Sequence, residues 1–143
     1  MRCYRLNLPL FVGGTTRTLK DGRQTKPTKK IWLTMNNYRN WHYQTANNAK
    51  IKFKESVALQ IKSLPNLTQS WGQIELKYIM FEPDRRSRDL MNYVSVIDKF
   101  FQDALVEMGK LEDDNLSFVP SISSTVGSID KTNPRMEVVI RPF

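Results

Sequence analysis

A chain of 143 residues is the length of one ordinary domain. With 40% apolar residues, three tryptophans and one cysteine it has the material for a packed core but not for an internal disulfide. No apolar run approaches the roughly 20 residues that span a bilayer, and the opening MRCYRLNLPL alternates instead of forming a signal-peptide core, so a cytoplasmic protein with no membrane partner is expected, with Cys3 as a packed thiol. The net charge of +8 and pI near 9.7 favour a polyanionic partner, nucleic acid before an anionic membrane, because each cation that neutralises a phosphate releases counterions.

In chain order, Tyr4, Leu6, Leu8 and Leu10 alternate with Arg5, Asn7 and Pro9, the period of a strand with one buried face, and Pro9 puts it near an edge or an end. After Gly13 and Gly14 a polar stretch to about Lys30 carries Arg17, Lys20, Arg23, Lys26, Lys29 and Lys30 against Asp21 alone. This basic loop or hairpin reads as a clamp on DNA backbone; a solvated linker is the plainer alternative. Thr34 can cap a helix from Met35 to Ser63, stopped by Pro65, with Tyr38, Trp41, Thr45, Ala49, Phe53, Val57 and Ile61 along its core side. His42 lies within it and, without a recognisable partner, is assigned to the surface or to packing instead of to proton transfer.

Alternation over Gln73–Phe81 predicts a strand that leads directly into EPDRRSRDLMN. From Met91 to Gly109 an apolar arc of Val94, Ile97, Phe101, Ala104, Leu105 and Met108 predicts an amphipathic helix. Two terminal strands are expected at about Ser117–Ser123 and Arg135–Arg141. No repeat or second-domain linker interrupts the chain, so residues 1–143 are taken as one domain.

The acids are not spread evenly. Nine of the fourteen fall between Glu82 and Asp114, a window holding only five basic residues, so an acidic island sits in an otherwise strongly basic chain. A basic surface draws in the phosphate backbone, and a local set of hard oxygen ligands suits a divalent cation beside a scissile phosphate. Helix caps, turns and ion pairs are the structural uses of the same acids.

Within that window the residues resemble the RusA family of Holliday-junction resolvases. The matching pieces are Arg85, Arg86 and Arg88; Asp89, Leu90 and Asn92; Lys99; Asp103, Ala104 and Leu105; and the pair Asp113 and Asp114. The resemblance implies an α+β fold with a mainly antiparallel sheet and two principal helices, assembled as a homodimer. It further implies phosphodiester hydrolysis in branched DNA, especially four-way junctions, dependent on Mg²⁺ with Mn²⁺ as a substitute. Asp89 and Asp114 would bind the metal with Asp113 in support, and Lys99 would contact phosphate or developing charge. Arg85, Arg86 and Arg88 would hold adjacent phosphates, or else offset repulsion among the acids.

Two departures stand out. Met91 occupies the place of the family's second aspartate, and a thioether is a poor ligand for hard Mg²⁺, leaving Asp103, Glu82 or an Asn92-held water to complete the shell. Four extra residues separate Asn92 from Lys99, which turns a helix by about 400° and keeps Lys99 near the same face. Without the resemblance, Lys99 and Asp103 would read as an exposed i,i+4 pair. Competing readings are a catalytically weak branched-DNA-binding protein and a sequence-reading DNA-binding regulator.

Overall fold

The computed structural model describes residues 2–143 as an α+β fold: β1 (Tyr4–Leu8), β2 (Phe11–Val12), β3 (Ile31–Trp32), α1 (Met35–Asn40), α2 (Tyr43–Lys62), α3 (Leu67–Trp71), β4 (Ile74–Phe81), α4 (Leu90–Glu107), β5 (Ser121–Val126) and β6 (Arg135–Pro142). The main sheet has the order β1-β6-β4-β5. β6 pairs antiparallel with both β1 and β4, whereas β4 and β5 run parallel, in register Tyr78↔Ser124 and Met80↔Val126. The sheet is therefore mainly antiparallel, with one parallel edge.

Alternation does the sorting. Ile74, Leu76, Tyr78 and Met80 of β4 and Met136, Val138 and Ile140 of β6 are buried together with the helices, and the intervening residues turn to the other face. On that face Glu137 accepts hydrogen bonds from Arg5 at 2.8 Å and Arg135 at 2.6 Å. α4 packs on the sheet and against α1 and α2. Its buried surface is wider than the expected arc, since Tyr93, Val96 and Phe100 are also enclosed. Phe100 explains why: its ring meets Tyr38 of α1 at 6.1 Å and Phe53 of α2 at 5.8 Å, each such buried ring contributing about 1.5–3 kcal/mol.

The single helix expected over Met35–Ser63 is broken in two. Thr34 caps α1 as anticipated, its side chain accepting the Asn37 N–H, but Trp41 and His42 are extended. His42 then caps α2, its Nδ1 accepting the Gln44 N–H at 3.3 Å. The first segment, MNNYRN, is poor in strong helix formers, and the break lets the Trp41 ring turn edge-on to Tyr38. Downstream, Ala49, Phe53, Val57 and Ile61 are buried as the periodicity required.

Cys3 is exposed, not packed. The stretch expected to begin a strand at Ser117 is a turn held by Asn115, whose side chain accepts the Ser117 N–H and whose carbonyl accepts those of Phe118 and Val119, so β5 starts at Ser121. A short helix, α3, follows Pro65, capped by Asn66. Among the described residues no helix is long and apolar enough to cross a membrane.

Candidate nuclease site

Strand β4 ends at Phe81, and residues 82–88 carry the chain to the start of α4. Asp89 is the N-cap of that helix: its Oδ1 accepts the Met91 N–H at 3.1 Å and its carbonyl accepts the Asn92 N–H. An exposed carboxylate in this position also complements the positive end of the helix dipole. Asp89 shares a shallow depression with Met35, Asn36, Arg39, Met91, Asn92 and Ser95. Asn92 itself is committed to structure, its Oδ1 accepting the Asn36 N–H and tying α1 to α4. The Met91 thioether takes a weak hydrogen bond from the Ser124 hydroxyl at 3.5 Å.

The second acidic group gathers along the later part of α4. Asp113 and Asp114 lie in the exposed loop after the helix, where Asp113 Oδ1 accepts the Asp114 N–H at 2.8 Å and Asp113 Oδ2 accepts from Asn115. The Asp114 carboxyl is raised above the ordinary aspartate range by partial desolvation, by its contact with the Asp113 carboxyl, and by the negative charges of Asp103 and Asp113. Asp98, half-buried on α4, is raised as well. Desolvation is the leading cause, hydrogen bonds from Gln102 and Tyr78 oppose it, and the charges of Asp114 and Asp103 add to it. Asp98, Asp103, Asp113 and Asp114 thus form one mutually repelling neighbourhood, the environment a cation would relieve.

Asp89 lies outside that neighbourhood. Nine residues separate it from Asp98 and fourteen from Asp103, or about 13 and 21 Å along the helix axis at 1.5 Å per residue. Among the described residues no group of three or more histidine, cysteine, aspartate or glutamate side chains is gathered closely enough to hold a metal ion. One chain therefore brings Asp113 and Asp114 together with Asp103 nearby, and leaves Asp89 at the opposite end of α4.

The cations divide in a similar way. Asp103 is paired with Lys50 of α2 at 2.9 Å rather than with Lys99, and Glu107 with Lys54 at 2.8 Å. Lys99 is exposed, and among the described residues it makes no ion pair. Arg88 is largely withdrawn from solvent, 2.8 Å from Asp84 and 3.5 Å from Glu82, the ion-pair role weighed for it from the sequence. Arg86 is exposed and only 3.8 Å from Asp84 at its nearest, and Arg85 is exposed.

The basic stretch 13–30 is a hairpin. Phe11 and Val12 pair with Trp32 and Ile31 at its base, Thr15 bonds to Thr28 further out, and Thr18 bridges Gln24 near the tip. Gly13 makes the exit from β2 possible: its φ is +87°, and a Cβ there would sit 2.3 Å from the Lys29 carbonyl oxygen. Arg17, Lys20, Arg23, Lys26, Lys29 and Lys30 are all exposed, and only Arg23 is paired, with Asp21.

Sequence reasoning missed Asp98. Its Oδ1 accepts the Tyr78 hydroxyl at 2.5 Å and the Gln102 amide at 2.9 Å, and its available signal was an aspartate four residues before Gln102 in an amphipathic helix.

Comparison with known proteins adds one finding. No curated protein gives a significant match. The profile of the family described as Endodeoxyribonuclease RusA matches residues 15–141, nearly the whole chain. It takes in the basic hairpin, the arginine-rich segment, α4 and the paired aspartates, so this chain belongs to the RusA endodeoxyribonuclease family.

Proposed function

We propose that this protein is a divalent-metal-dependent endonuclease that resolves four-way DNA junctions or related branched DNA by phosphodiester hydrolysis. Family membership implies Holliday-junction-resolving nuclease activity. The observation that carries the reading to particular residues is the repelling set Asp114, Asp113 and Asp103 on a protein whose net charge is +8.

The donors suit Mg²⁺, with Mn²⁺ as a substitute, because such an ion keeps several waters and needs only one or two carboxylates besides substrate phosphate. Asp114 and Asp113 would hold it, with Asp103 available on exchange from Lys50. When bound, the ion would supply an activated water and neutralise charge on the leaving oxygen. The chain's own residues do the rest. The hairpin cations and the exposed Arg85 and Arg86 bind backbone phosphates, Lys99 donates to a phosphate oxygen, and Arg88 keeps the 82–88 segment in shape through Asp84 and Glu82.

Asp89 enters the same reading through a homodimer. β5 is an open sheet edge, and Ile122, Val126 and Met91 are exposed beside it. Pairing two such edges about a two-fold axis would lay two copies of α4 side by side in opposite directions, bringing the start of one helix toward the later part of the other. Two related sites would then face symmetry-related strands of the junction.

The alternative of a catalytically weak branched-DNA-binding protein has two observations in its favour: neutral Met91 and the lack of three gathered ligand side chains among the described residues. Cleavage of a synthetic four-way junction separates the readings. Wild-type protein with Mg²⁺ should cut paired strands near the branch, and Asp114→Asn should lose at least about a hundredfold in rate while still binding the junction. Binding without cleavage across Mg²⁺ and Mn²⁺ concentrations would reject the enzyme reading.

A further inference from the structure

A cleft of about 510 Å³ lies away from the paired aspartates, between the base of the basic hairpin and the segment that leads into Asp89. One wall is aromatic: Trp32 and Phe11, with ring centroids 5.0 Å apart, are both only partly buried. The Lys30 ammonium sits 4.6 Å over the Phe11 ring. Arg86, Lys131, Pro83 and Pro134 also line the cleft.

The loop that carries Lys131 is held in place before any ligand arrives. Asp130 Oδ1 accepts hydrogen bonds from the backbone of Thr132 and Asn133, and Arg135 bonds both Asp130 and the Asn133 carbonyl. The Asp130 N–H donates to the Glu82 carbonyl at 2.8 Å, joining this loop to the arginine segment. The one acid in the cleft, Asp84, is already neutralised by Arg88, so the outward charge is that of Lys30, Arg86 and Lys131. Among the described residues neither Lys30 nor Lys131 has a carboxylate partner.

A surface that only tracks duplex backbone needs cations and no exposed rings. Flat aromatic surface beside a ring of cations, in a volume within the usual range for small-molecule sites, is the chemistry that takes a base by stacking and its phosphate by charge. We propose that this cleft receives one unpaired nucleotide of the bound DNA, its base against Trp32 and its phosphate between Arg86 and Lys131. The strand would then continue past Asp89. This deepens the junction reading above, since a branch point is where a paired strand can release a base.

The test is metal-free binding at fixed salt, so it does not depend on cleavage. Two four-way junctions are compared, one with a single unpaired thymine at the branch and one with an abasic residue in its place, at equal phosphate count. Wild-type protein should prefer the base-containing junction about tenfold, in line with base–aromatic stacking elsewhere. Trp32→Ala should abolish that preference, Trp32→Phe should keep most of it, and Lys131→Ala should weaken both junctions alike. Substituting 2-aminopurine for the thymine gives a readout that needs no variant: its emission should be quenched on binding by wild type. Equal affinity of wild type for the two junctions, or unquenched 2-aminopurine, would overturn the proposal, as would competition by free thymidine monophosphate at concentrations equal to the junction. Should wild type show the base preference yet cut neither junction with Mg²⁺, the nuclease reading falls and the nucleotide site stands.

Discussion

Asp98 is a carboxylate placed where burial and its neighbours both resist its charge. Because its folded pKa lies above that of a free aspartate, the ionised form lowers stability near neutral pH, and the fold gains stability as pH falls through that raised value. The Gln102 Oε1 beside it is buried without a hydrogen-bond partner. Asp98→Asn removes the charge, keeps an oxygen to accept from Tyr78, and offers an N–H that Gln102 can accept. The variant is expected to raise the thermal midpoint by a few degrees, on the order of 1 kcal/mol. Melting measured from acid to neutral pH checks this, since wild type should approach the variant as pH falls and the gap should widen as it rises. A variant less stable than wild type throughout would show that the charge is needed by the fold.

Glu137 behaves oppositely. Burial resists its ionisation, but hydrogen bonds from Arg5 and Arg135 outweigh it and hold its carboxyl below the usual glutamate range. A depressed folded pKa contributes stability above the unfolded value near 4.5, and that contribution is lost as pH falls through the folded value. Glu137→Gln should cost about 1–3 kcal/mol at neutral pH and should flatten the acid limb of a stability profile followed by circular dichroism.

Among the elements, the hairpin between β2 and β3 is fixed by short-range backbone bonds and carries six exposed cations. If these contact phosphates, each alanine substitution among Arg17, Lys20, Lys26 and Lys29 should weaken all DNA forms similarly and reduce the slope of log K against log salt by roughly 1. Fluorescence titrations at several salt concentrations measure it; an unchanged slope would make the hairpin a solvated surface. Helix α4 works on another principle. Its buried residues set its position, and that position decides which acids meet: the helix is long enough to keep Asp89 apart from Asp103 and Asp114.

At the scale of the molecule, β5 is one of the two open edges of the main sheet, and Met91, Ile122 and Val126 are among the exposed large hydrophobic side chains. Ile122→Lys, placed at a partly exposed edge position, should leave the monomer folded and shift sedimentation from dimer to monomer, with junction cleavage lost in parallel. A monomeric wild type that nevertheless cuts junctions would remove the need for a partner copy.

Local periodicity was enough for the core faces of α2 and α4 and for the strand that feeds the site, and residues close in the chain carried the family motif and, through that resemblance, the expected fold class. Alternation over β4 and the 3.6-residue spacing of Ala49, Phe53, Val57 and Ile61 express burial directly. Only the tertiary structure decided the rest. The break at Trp41 and His42 accompanies the edge-on packing of the Trp41 ring on Tyr38, and the Lys50–Asp103 pair comes from residues 53 apart in sequence on helices lying side by side. Asp89 caps the start of α4, whereas Asp113 and Asp114 come after its end. Contacts of that kind join residues distant in the chain, and no local pattern records their distance.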